Sequence, residues 1–147
     1  MARLNGMMGN HVVNCVLLAD RHHGLTEGVR GLLESTFDAV VMVADETSLF
    51  ESAERLKPEL AIVDLSLARG EGLQWLTRLR SRCPGLKLIV LSVHDQPGVS
   101  CAAMEAGADA FVLKRAIATD LLAAIDAVQA GRSYVSPNIP ATMPRKD

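Results

Sequence analysis

The sequence predicts an α/β protein, a doubly wound five-stranded parallel sheet in three layers, and three observations carry that prediction. Short apolar runs rich in Val, Ile and Leu recur along the chain, at Val12–Ala19, Ala39–Ala44, Leu60–Leu65, Leu86–Ser92 and Ala110–Leu113. Each is apolar nearly throughout instead of alternating, the pattern of strands covered by helices on both faces. Stretches with helical spacing lie between them, and strict alternation of the two implies parallel strands joined by right-handed crossovers.

Each helical stretch has its own face and its own stop. Leu25, Val29, Leu32 and Leu33 share one face, with Glu27, Arg30 and Glu34 turned outward. Leu49, Ala53 and Leu56 form the second stripe, ended by Pro58. Leu73, Leu76 and Leu79 form the third, closed by Pro84-Gly85. Val99, Ala102, Ala103 and Ala106 form the fourth, which Gly107 stops at the left-handed cap position. Ile117, Leu121, Leu122, Ile125 and Val128 form the fifth, stopped by Gly131. Residues 1–11 read as a flexible N-terminal segment, 12–134 as the folded domain, and 135–147 as a linker or tail. That tail carries Pro137, Pro140 and Pro144 before Arg145-Lys146.

Composition narrows the function classes. With 147 residues the chain is one domain's worth. Its 15 Lys+Arg against 17 Asp+Glu leave a formal charge of −2, so no broad basic surface points to nucleic acid or an anionic membrane. No apolar run approaches the roughly 18 residues of a transmembrane helix, and the N-terminus shows no apolar leader. Cys15, Cys83 and Cys101 are an odd number, widely spaced, and read as thiols in a reducing compartment. The expectation is a soluble cytoplasmic domain with no membrane contact and no direct nucleic-acid contact.

Ligands of open α/β sheets bind beyond the carboxyl ends of the strands. Those ends deliver Asp20, Arg21, His22 and His23 after the first strand, Asp64 and Ser66 after the third, Ser92 and His94 after the fourth, and Lys114 after the fifth. Two carboxylates, a hydroxyl and an ammonium at one edge make a phosphoryl-handling set. Other chemistries fit less well. No Gly-x-Ser-x-Gly elbow surrounds Ser92, and neither phosphate-loop fingerprint is present. The histidines with Asp20 and Asp64 leave a small metal-dependent α/β enzyme as a distant alternative. Trp75 reads as a packing residue of the third helix.

The chain resembles a response-regulator receiver domain, and most closely the receivers joined to LuxR/NarL-type DNA-binding domains. The resemblance rests on Val16-Leu17-Leu18-Ala19-Asp20, Leu60-Ala61-Ile62-Val63-Asp64-Leu65 and Ile89-Val90-Leu91-Ser92-Val93-His94. It continues through Glu105-Ala106-Gly107-Ala108-Asp109-Ala110-Phe111-Val112-Leu113-Lys114 to Gly131-Arg132-Ser133-Tyr134-Val135-Ser136-Pro137. It implies a flavodoxin-like receiver fold of strand order 2-1-3-4-5 and a role in two-component signal transduction and transcription regulation. Asp64 then matches the aspartate that accepts a phosphoryl group from a histidine kinase or phosphotransfer protein. Asp20, Asp64 and the backbone carbonyl of Ser66 match the Mg²⁺ ligands. Ser92 matches the switching hydroxyl, Lys114 the phosphate-binding ammonium, and Phe111 the switch aromatic. The resemblance also implies docking or homodimer formation through the first and fifth helices, or through the fourth helix, fifth strand and fifth helix.

One residue departs from that pattern. Where the family carries a second acid after Asp20, this chain has Arg21. A guanidinium offers no acceptor atom, and its charge opposes a cation. The expectation is therefore weak Mg²⁺ binding and impaired phosphorylation; a guanidinium that enters the pocket contacts Asp64 or Asp20, and one that swings outward leaves a pocket that still works weakly. A phosphorylation-independent interaction domain is the alternative reading. The segment after Asp64 also has Ala68 where the family commonly has proline.

Overall fold

In the computed structural model, which describes residues 14–68 and 72–137, each apolar run contains a strand. The elements are β1 (Cys15–Ala19), α1 (His23–Glu34), β2 (Ala39–Val43), α2 (Glu46–Leu56), β3 (Leu60–Asp64) and α3 (Gln74–Arg82). They continue with β4 (Lys87–Ser92), α4 (Pro97–Glu105), β5 (Ala110–Leu113), a 3₁₀ turn over Lys114–Ala116, α5 (Ile117–Gln129) and β6 (Tyr134–Val135). Val12 and Val13, read from the sequence as the start of the first strand, lie outside the described residues.

The sheet is parallel throughout, in the order 2-1-3-4-5-6. The sequence reading of five strands is thus short by one: β6 pairs with the free edge of β5, Ala110 opposite Tyr134 and Phe111 opposite Val135. A two-residue strand has no periodicity to read, which is why the segment passed as the start of a tail. Contact with the domain runs past residue 134, because Ser136 is also buried.

Alternate residues of each strand feed two separate cores. Leu17, Val63, Leu88, Val90 and Phe111 face α2, α3 and α4 through Leu49, Ala53, Leu76, Leu79 and Ala103. Val16, Leu18, Ile62, Ile89, Leu91 and Val112 face α1 and α5 through Val29, Leu33, Leu121, Ala124 and Ile125. Both sheet faces are covered, so the strands read as unbroken apolar runs. Burial of each such aliphatic side chain is worth about 1.5–3 kcal/mol, and together they fix the sheet that carries the site. Trp75 packs into the first core, as its helical position suggested.

The helix ends follow local chemistry. Asp45 caps α2 by accepting the Ser48 N–H at 2.7 Å. Gly107 and Gly131 take the positive φ expected of them, +124° and +82°. At Gly107 a Cβ would also lie 3.1 Å from Arg80 Cβ, and Arg80 Nη2 donates to the Gly107 carbonyl at 2.9 Å. Gly107→Ala is expected to cost about 1–3 kcal/mol, since backbone strain and a crowded clamp add. Urea unfolding of the variant checks this; an unchanged midpoint would mean that the loop relaxes freely.

Candidate functional site

Parallel register lines up the strand ends. Ala19 pairs with Val63, Asp64 with Leu91, and Ser92 with Leu113, so the next residues of β1, β3, β4 and β5 meet at one edge. Asp20, Asp64 and Ser92 are all buried there, at 4%, 2% and 1% exposure. Buried charge of this kind needs a partner. Lys114 supplies it: Nζ lies 3.1 Å from Asp20 Oδ2 and 3.1 Å from Asp64 Oδ1. One ammonium thus ties two strands' carboxylates together.

Local hydrogen bonds set each side chain. Asp64 Oδ2 accepts the Ser66 hydroxyl at 2.8 Å, and Oδ1 accepts the Ser66 N–H at 3.3 Å. This loop closure by a residue two positions on is the usual preference of Asp at a turn. Ser66 enters the sequence reading only through its carbonyl; its hydroxyl was missed, although a hydroxyl two residues after a strand-end Asp is the signal that could have found it. His22 was weighed only as a metal ligand. Its N–H donates to Asp20 Oδ1 at 2.8 Å and its ring Nδ1 lies 3.0 Å from the same oxygen. The ring is also 3.5 Å from Lys114 Nζ. His94 contributes its backbone, whose N–H donates to Ser92 Oγ at 2.9 Å and leaves the Ser92 proton available to donate. Phe111 is fully buried within the α2–α4 core, one strand residue from β4. Between these groups opens a cleft of about 370 Å³ lined by His22, Asp64, Leu65, Ser66, Ser92, Val93, His94 and Lys114.

Arg21 takes neither pocket carboxylate. Its guanidinium donates to the Ser66 carbonyl oxygen at 2.8 Å and makes no ion pair with Asp20 or Asp64. Both carboxylates already hold Lys114, and a carbonyl two residues past Asp64 is the acceptor an exposed guanidinium can reach without being desolvated.

The acidic pocket is where receiver domains hold Mg²⁺, and the residues here fit that ion only on one side. Asp20 Oδ2 is buried and has no well-directed hydrogen bond, its partner being the Lys114 ammonium at 3.1 Å; Asp20, His22 and Asp64 each bring a ligand atom within 4.8 Å of the others. On the other side the Ser66 carbonyl already accepts from Arg21, and Lys114 contacts both carboxylates, its single charge offsetting one of their two. Mg²⁺ demands near-octahedral oxygen ligation. The arrangement as folded does not supply it.

Elsewhere the chemistry is quiet. A larger cleft, about 460 Å³, lies at the opposite end of the sheet around Glu59, Pro84 and Leu86, with no convergent functional set among the described residues. Burial, with Glu59 beside one and Glu54 beside the other, pushes the Cys15 and Cys83 thiols up, away from the reactive thiolate. No helix is long and apolar enough to cross a membrane, among the described residues.

Fold and pocket together define a receiver domain of the two-component type, and residues 16–126 match the response regulator receiver domain family. The chain belongs to that family. It is 31% identical over 131 residues to the nitrate/nitrite response regulator protein NarL of Escherichia coli, covering 88% of this chain and 61% of the relative. To the transcriptional regulatory protein DegU of Brevibacillus brevis it is 28% identical over 126 residues, 84% of this chain and 53% of DegU. Among solved structures it superposes on a LuxR-family two-component response regulator from Aurantimonas with a TM-score of 0.78 at 27% identity, covering 87% of this chain and 93% of that one. The isolated receiver of Salmonella enterica RcsB with phosphomimetic BeF₃⁻ gives a TM-score of 0.76 at 26% identity, covering 87% and 96%. The chain spans between about half and three-fifths of the curated relatives it matches. It is a receiver domain of the LuxR/NarL group of response regulators.

Proposed function

We propose that the chain is the signal-receiving part of a two-component pathway, with Asp64 as phosphoryl acceptor and a histidine kinase or phosphotransfer protein as donor. The observation that carries this is the pair of 3.1 Å contacts from Lys114 to Asp64 and Asp20, which hold the acceptor carboxylate at a solvent-reachable cleft. Transfer forms a bond from an Asp64 oxygen to phosphorus and breaks the phosphorus–nitrogen bond of a phosphohistidine, whose imidazole leaves with the electron pair. The transferred group brings added negative charge. Lys114 and the Ser92 hydroxyl are the donors that would meet its oxygens, and Phe111 is the aromatic proposed to move with Ser92. The pathway's DNA contacts belong to another domain, docking or homodimer formation is the output of this one, and the setting is cytoplasmic.

Arg21 makes the reaction slow. Phosphoryl transfer needs positive charge on the oxygens of the moving group, normally from a metal ion. Here the Arg21 guanidinium is bonded to the Ser66 carbonyl and competes with a cation for the oxygen that would be the third metal ligand. The same contact favours a second reading, a receiver whose state is set by partner binding alone. Incubation with a small phosphodonor, read by intact mass, separates the two. One added phosphoryl group, absent in Asp64→Asn, supports acceptance; no addition to the parent chain under any metal condition supports the partner-only reading.

A further inference from the structure

Among the described residues, Ser52, Ser100, Asp120 and Ser136 are buried polar side chains outside the pocket, and the last two are bonded to each other. Ser136, just beyond β6, is 2% exposed, and Asp120, in the first turn of α5, is 6% exposed. Ser136 Oγ donates to Asp120 Oδ2 at 2.8 Å and accepts the backbone N–H of Leu113 at 3.0 Å. The Ser136 N–H donates to the Phe111 carbonyl at 2.9 Å. Asp120 Oδ1 lies 3.2 Å from the Thr119 hydroxyl, whose one proton also faces the Ala116 carbonyl at 3.1 Å, so the bond from Ser136 is the one that holds the carboxylate. In a buried polar network, losing one member strands the rest.

The position of this network matters. Leu113 is the last residue of β5, and the next residue is Lys114. The Leu113 amide therefore takes its acceptor from the segment that leaves the domain, directly before the ammonium that spans Asp20 and Asp64. Phe111, on the same strand, is bonded to the same segment through its carbonyl. The two-residue strand is otherwise held by the Tyr134 side chain, packed against the α1–α5 core, and by a 3.3 Å bond from the Tyr134 N–H to Asp109 O, while Val135 is exposed.

We propose that Asp120 and Ser136 are a clip that seats the departing segment on β5 and thereby positions Lys114 over Asp20 and Asp64. They are positioning residues of the pocket, acting through the Leu113 peptide. Coupling of this kind is reciprocal: whatever loosens the Lys114 contacts loosens the seating of residues 134–136 by the same factor. The pocket's charge is thereby legible at the point where the chain exits. The signalling value of that coupling rests on the phosphoryl-acceptor reading; the clip itself does not.

The test uses the full chain, unphosphorylated, by NMR. Ser136→Ala should speed hydrogen exchange at the Leu113 and Ser136 amides at least tenfold and shift the Lys114 side-chain ammonium resonance. Asp120→Asn should do the same more weakly, and Ser136→Thr, which keeps the hydroxyl, should restore both. In the reverse direction, Lys114→Ala should speed exchange at Ser136 by more than at the amides of β2 at the far edge, which report the global loss of stability. Faster exchange in Ser136→Ala with an unmoved Lys114 resonance, or Lys114→Ala without effect at Ser136, would reduce the clip to a local tether and overturn the proposal. Unchanged exchange in Ser136→Ala would overturn it outright. Because no arm involves phosphate, a failure of Asp64 to take label leaves these results to stand or fall separately.

Discussion

Replacing Arg21 with aspartate should raise Mg²⁺ affinity by at least about tenfold. The change removes a cation, adds an anionic oxygen after Asp20, and frees the Ser66 carbonyl that Arg21 now holds at 2.8 Å. Two units of charge at about 5 Å in a surface site of effective dielectric near 20 are worth on the order of 3 kcal/mol each before screening. Tenfold needs only about 1.4 kcal/mol, so the effect survives generous discounting. Arg21→Ala should fall between the two, since it frees the carbonyl without supplying a ligand. Arg21 is exposed, and neither variant should shift the unfolding midpoint much, about 0.5 kcal/mol at most. A metal titration followed at the Asp64 and Ser66 amides measures the affinities. Equal affinity across all three proteins would mean that the guanidinium swings clear of Ser66 in solution.

Lys114→Met should be the most damaging single change to stability. Lys114 is 11% exposed at its side chain and is the cation beside two nearly buried carboxylates. Removing one partner of a buried ion pair typically costs about 3–5 kcal/mol, because the charge left behind is uncompensated. Asp20 Oδ2 would then lose the Lys114 contact at 3.1 Å. Adding Asp20→Asn to Lys114→Met should recover part of the loss, so the two substitutions should be strongly non-additive in urea unfolding. A loss under about 1 kcal/mol would show that water replaces the ammonium at no cost.

The parts of this molecule that the sequence made legible are those set by period and by position. Val, Ile and Leu runs covered on both faces announced the buried strands, and Gly107 and Gly131 announced where helices stop. Asp20, Asp64, Ser92 and Lys114 were found because strand ends of a parallel sheet must converge. Arg21 stood out because its chemistry is opposite to that of an acid. What escaped was decided by competition between partners. Arg21 could reach Asp64 on sequence grounds, but Lys114 already holds that carboxylate, and only the folded loop offers Ser66 O instead. The His22 bonds to Asp20 are short-range loop geometry with no spacing signature, and the Ser66 hydroxyl is signalled only by its place two residues after Asp64. Tyr134–Val135 is too short to show a pattern, and the buried Asp120–Ser136 bond joins residues that look like any polar pair at a helix start and a tail.

Arg21 on the Ser66 carbonyl is proposed to weaken the metal-dependent reaction at Asp64. The most direct test is the Mg²⁺ dependence of labelling by a small phosphodonor, measured side by side on the parent chain and Arg21→Asp, with Asp64→Asn as the blank. Slow labelling of the parent that responds weakly to Mg²⁺ is expected, with fast labelling of Arg21→Asp that saturates at lower Mg²⁺. Fast, Mg²⁺-saturable labelling of the parent, equal to that of the variant, would contradict it.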